Sequence, residues 1–133
     1  MTRTFIAAAF CAAGLLLAAA PAGAQTPAPI TRTVVGKGDV SVPGREAIVA
    51  RVEIAPGATV ARHTHAGDEI GYIAEGEVEM QIDGEAPRLL KAGESFVIPA
   101  GVVHGAHNHS ATGVKLIGVY VVEKGKPLAT PAP

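Results

Sequence analysis

The chain has 133 residues, enough for one domain with one core, and its 11 Lys and Arg nearly balance 12 Asp and Glu. No basic run exceeds two residues, so the electrostatic footprint of a nucleic-acid-binding protein is absent. The single cysteine, Cys11, excludes a disulfide framework and a thiolate metal site.

Residues 1–24 differ from the rest. Arg3 is their only charge, an apolar stretch runs from Phe5 to Ala20, and Pro21 precedes the small triplet Ala22-Gly23-Ala24. A basic start, a short apolar run and a small-residue site form the pattern of a signal peptide. A membrane anchor would need about 20 apolar residues. Cleavage after Ala24 is expected, giving a periplasmic or secreted protein with no membrane segment and no cysteine. Residues 25–31 carry Pro27 and Pro29 and are expected to form a flexible lead-in; 32–124 form the domain. The tail 125–133, with Pro127, Pro131 and Pro133, is expected to be flexible as well.

Between these ends the polarity alternates. Ile48, Val52 and Ile54 share one parity against Arg51 and Glu53; Val78, Met80 and Ile82 share one against Glu77, Glu79 and Gln81. A period of two marks strands with one buried face. Asp83-Gly84 suits the left-handed positions of a tight hairpin turn. Ser95–Pro99 and Lys115–Val122 add strand-like runs. No helical periodicity extends over ten residues or more, so the expected class is all-β, a sandwich or barrel.

All five histidines lie between positions 63 and 109. His63 and His65 point to the same face of an extended strand. A turn at Ala66-Gly67-Asp68 would let Glu69 begin the next strand and return its carboxylate to that point. His104 follows Pro99-Ala100-Gly101, a segment suited to a sharp loop. Spacing alone leaves two readings open: a metal centre, or surface and core histidines satisfied by ordinary hydrogen bonds.

The flanking residues add a pattern. Gly57, His63, His65, Glu69 and Gly76 are separated by five, one, three and six residues. Gly93, Pro99, Gly101, His104 and Asn108 are separated by five, one, two and three. These two blocks match both motifs of the cupin superfamily at every position, and the chain over about residues 48–122 resembles a small single-domain cupin of the quercetin-dioxygenase-like kind. The resemblance implies a jelly-roll β-barrel (a double-stranded β-helix) of six to eight strands. It also implies that His63, His65, Glu69 and His104 hold one divalent metal ion. Glycines 57, 76, 93 and 101 would fall where strands turn.

Three neutral imidazoles and one carboxylate leave a divalent ion with about one positive charge and, if octahedral, two open positions. That favours small chelating anions. Mn, Fe, Zn, Ni, Co and Cu all suit such ligands. Arg62, Tyr72, His107, His109 and Tyr120 are candidates for neighbouring acid–base groups; parity from Glu69 places Gly71 and Ile73 on the ligand face and Tyr72 opposite. Met80 reads as packing. The expected function is a small-molecule metalloenzyme of dioxygenase type. The alternative is a metal-dependent ligand-binding or metal-sequestering protein without turnover. A homodimer is a further expectation.

Overall fold

A computed structural model describes residues 29–133. The expected signal peptide, with Cys11, and the first part of the lead-in lie outside the described residues. Ten strands and no helix occur among those described. In chain order they are β1 (Ile30–Asp39), β2 (Arg45–Ile54), β3 (Thr59–Thr64), β4 (Gly67–Glu75), β5 (Glu77–Ile82), β6 (Arg88–Lys91), β7 (Ser95–Ile98), β8 (His104–His107), β9 (Val114–Glu123) and β10 (Thr130–Pro131). They form two antiparallel five-stranded sheets, ordered β1-β2-β9-β4-β7 and β10-β3-β8-β5-β6.

The alternation in the sequence becomes the inside and outside of the barrel. In β5, Val78, Met80 and Ile82 are buried while Glu77, Glu79 and Gln81 are partly exposed. In β4, Glu69, Gly71 and Ile73 face inward, and Tyr72 faces out at 50% exposure. The inward faces build one apolar cluster around Val52, Ile54, Ile73, Phe96 and Leu116, and a second from Ile48, Ala50, Tyr120 and Val122. Burial of these side chains is the main stabilising term of such a fold, at about 25 cal/mol per Å² of apolar surface.

Gly57, Gly76, Gly93 and Gly101 have φ of 71°, 80°, 94° and 75°, the left-handed region where side chains are strained. Gly71 is needed for a different reason. A Cβ there would meet the Phe96 ring at 2.0 Å, so the missing side chain lets that ring lie across the inner face of β4.

The structure corrects four expectations. The strand count is ten rather than six to eight, because β1 and β10 add to the motif-bearing barrel. The strand β1 begins at Ile30, inside the expected lead-in, and pairs with β2 from Ile30↔Ile54 onward. The tail is not free: Thr130 and Pro131 pair with Thr64 and His63, and the Ala132 amide donates to the Arg62 carbonyl at 3.0 Å. Proline is tolerated there because β10 is an edge strand. At the β5–β6 hairpin only Gly84 has positive φ (87°), and β6 starts at Arg88, since Pro87 has no amide with which to continue the ladder.

Candidate metal centre

Both sheets contribute to one point inside the barrel. His63 and His104 are direct cross-strand partners in β3 and β8. Glu69 and Tyr120 are direct partners in β4 and β9, in the other sheet. Opposed residues of an antiparallel pair share a face, so each pair projects inward together. His65 lies just past β3, where the chain crosses between sheets; β4 starts at Gly67, earlier than a turn ending at Asp68 would allow. The loop that delivers His104 is held to this crossing. The Gly101 amide donates to the His65 carbonyl at 3.0 Å, and the Ala100 amide donates to Asp68 Oδ1 at 3.1 Å.

One ligand atom from each of His63, His65, Glu69 and His104 lies within 4.8 Å of the others, and all four residues are buried. The rings of His63 and His104 have centroids 4.3 Å apart, and His63 and His65 stand edge to face at 4.8 Å. Tyr120 packs on His65 with centroids 4.8 Å apart.

The hydrogen bonds fix which nitrogen is free. His63 Nδ1 lies 2.8 Å from the Ala61 carbonyl, His104 Nδ1 lies 2.9 Å from that of Val102, and His65 Nδ1 bonds to that of Leu128. A carbonyl only accepts, so each Nδ1 carries the hydrogen and each neutral ring presents the lone pair of Nε2 inward. Glu69 Oε2 then lies 2.9 Å from His104 Nε2 and 3.0 Å from His65 Nε2, acceptor against acceptor. His65 Nε2 is buried and has no aligned hydrogen-bond partner. A cation between these atoms removes the conflict, and the donors present fit a divalent metal ion.

The electrostatics of the metal-free site follow from burial and from the protonation of the rings. Burial lowers the pKa of His63 below its usual 6.5, with the neighbouring His104 and His65 adding to the effect against the Ala61 hydrogen bond. Burial alone would raise Glu69; without a metal, His104 and His65 rings that are protonated at Nε2 donate to its carboxylate, outweigh the burial and bring it down to about 2. Burial, then the Glu69 charge, raises Tyr120, so its phenol stays neutral.

A cavity of about 30 Å³ adjoins His63, Glu69 and His104, walled by Val52, Met80, Phe96 and Leu116 and carrying Tyr120 and Arg32 as its other polar groups. A larger hollow of about 460 Å³ is lined by Glu53, Glu75 and Lys115, at the opposite end of β4 and β9 from the ligands. It brings no metal-binding group together.

Of the expected neighbouring groups, only Tyr120 reaches the site. Arg62 is exposed and paired with Asp83 at 2.8 Å, and Tyr72 faces outward. His107 is on the outer face opposite Glu79, its ring stacked on that of His109 at 3.9 Å. Two contributors went unread in the sequence. The Leu128 carbonyl lies in the tail expected to be flexible. Arg32 lies in a stretch where Ile30-x-Arg32-x-Val34 puts a charge on an apolar parity, the one available signal.

Comparison with known proteins agrees with this geometry. The family described as "Cupin domain" matches residues 50–122. A germin-like protein of Arabidopsis thaliana (subfamily 2 member 2) is 32% identical over 111 residues, 74% of this chain and 51% of that protein. The structure of an oxalate oxidase in complex with the substrate analogue glycolate superposes with a TM-score of 0.64 at 29% identity, covering 81% of this chain and 57% of that one. A double-stranded β-helix protein from Klebsiella pneumoniae subsp. pneumoniae shares the fold at a TM-score of 0.67 and 23% identity, over 82% of this chain and 89% of that one. The chain spans about half the length of the germin-like relative or less of other curated relatives. On its two motifs, its two-sheet barrel and these matches, the chain belongs to the cupin family.

Proposed function

We propose that this cupin is an exported metalloenzyme that oxidises a small chelating anion, a carboxylate above all, with molecular oxygen. The observation that carries the reading is the convergence of three imidazole nitrogens and one carboxylate on a buried point beside a small cavity. His63, His65, Glu69 and His104 would hold the ion. When bound, the ion supplies Lewis-acid and redox chemistry to a chelating substrate. Four protein ligands leave an octahedral ion open to such a substrate, whereas structural zinc sites are closed and usually contain cysteine. The likeness to an oxalate oxidase structure with bound glycolate supports a small carboxylate as substrate. The apolar walls would exclude water, and Tyr120, neutral through burial, offers a hydroxyl that can donate or accept a hydrogen bond. The apolar stretch followed by Ala22-Gly23-Ala24 supports export.

The test is oxygen uptake by metal-loaded protein over a panel of oxalate, glycolate, diketones, catechols and flavonols. Uptake with a small carboxylate, abolished in His104→Ala, is the expected result. Melting shifts with these compounds but no oxygen consumption would favour the binding-only alternative. Metal content unchanged in His63→Ala would refute the ligand set itself.

A further inference from the structure

Arg32 is an exposed residue of β1. It lies directly opposite Val52 in the β1–β2 ladder, and Val52 is a core residue at 3% exposure. Direct partners share a face, so Arg32 is on the inward side of β1, at the rim of the barrel. There it lines the cavity with His63, Glu69, His104 and Tyr120. Other cations are paired: Lys37 with Glu46 at 3.0 Å, Lys124 with Asp39 at 2.7 Å, Arg62 with Asp83 at 2.8 Å. Among the described residues no carboxylate pairs with Arg32.

The charge balance of the cavity follows. Three neutral imidazoles and one carboxylate around a divalent ion leave one positive charge, and Arg32 adds a second with no protein anion to meet it. Arg32 is exposed, so water meets its charge when the cavity is empty, but at the rim its planar donors are placed to take an anion that fits them. The cavity, at about 30 Å³, holds few atoms, so that anion must belong to a small molecule already at the metal ligands.

We propose that Arg32 is a specificity-determining residue of the site: it binds the second anionic group of a small dianionic ligand whose other end chelates the metal. This deepens the function proposed above and rests on its open metal centre. Selectivity then comes from two separated charges. The metal accepts any small chelating acid, and Arg32 favours acids bearing a further carboxylate within reach of Tyr120. A tight turn or a packing role would not require a cation at this position, because the edge strand is already paired along β2.

The experiment uses the Mn(II)-loaded protein and two probes with the same α-hydroxycarboxylate chelating end. Lactate carries a methyl group where tartronate carries a second carboxylate. Calorimetric titration of the wild type is expected to give tartronate an affinity at least about tenfold above lactate, as for a charge-assisted pair. Arg32→Gln should remove that preference while leaving lactate affinity and metal content unchanged; Arg32→Lys should retain part of it. Melting temperatures of both variants check that β1 stays in place. A tartronate-to-lactate ratio unchanged in Arg32→Gln would overturn the proposal and leave the metal-centre reading standing. Failure of both acids to bind the loaded wild type would overturn the open centre, and the role of Arg32 with it.

Discussion

His104 and Asn108 are four residues apart in one sequence motif, yet they do different work. His104 points Nε2 at the centre. Asn108 is fully buried, and its amide nitrogen donates to the carbonyls of Thr112 at 2.8 Å and Ala55 at 3.1 Å. Its oxygen accepts from the Ser110 amide at 3.0 Å and hydroxyl at 2.7 Å. Asn108→Ala would strand several of these groups and is expected to destabilise the fold by about 3 kcal/mol. Metal stoichiometry of the folded fraction should stay the same. Urea unfolding alongside metal analysis checks both halves, and a loss of metal from protein still folded would show the assignment to be wrong. The four candidate ligands were legible because each stands at a motif position and each is a residue type that can bind metal. Arg32 was not, because its meaning depends on pairing with Val52, twenty positions away, and on a register that local alternation does not supply.

At the scale of elements, strands with one dry face could be read directly. The parity of β2 and β5 in the sequence is the parity of their burial. The tail could not be read in that way. Three prolines argue against regular pairing, and an edge strand of two residues needs too few amides for the argument to apply. Its attachment matters because the Leu128 carbonyl fixes the tautomer and orientation of His65. Ending the chain at Lys126 removes that acceptor together with β10. The barrel should persist, since β10 pairs only through two residues, while metal affinity should fall about 10- to 100-fold, as on loss of an outer partner of a ligating histidine. Competition against a chromophoric chelator measures it; equal affinity in the shortened chain would mean that His65 needs no such anchor.

For the whole molecule, metal and proton compete for one set of groups. Without metal, the His63 pKa is lowered in the folded state, so between that value and 6.5 the unfolded chain binds more protons. Stability present above pH 6.5 is therefore lost as the pH falls below it, levelling off once the folded group also protonates. Glu69, at about 2 when folded against 4.5, contributes above pH 4.5 and loses that contribution as the pH falls towards 2. Urea midpoints of metal-free protein should thus decline first below pH 6.5 and again below pH 4.5. Saturating metal at about 100 times its dissociation constant should add about 2.7 kcal/mol near neutrality and progressively less in acid, because bound imidazoles must be deprotonated. A metal-free midpoint that is flat from pH 7.5 to pH 5.5, by this measurement, would show that His63 titrates normally.

The contact between His65 and Leu128 also sets an order of events. The groups around the cavity begin at Arg32 and are completed by a carbonyl nearly a hundred positions later. A chain emerging from its N-terminus has His65 at its midpoint but cannot lock it until residue 128 is free. If the four side chains hold a metal, its capture falls at the close of assembly, after both sheets have met, and an unfinished chain presents loose imidazoles in place of a complete site. The ion such a site would take is then set by what is present where folding ends.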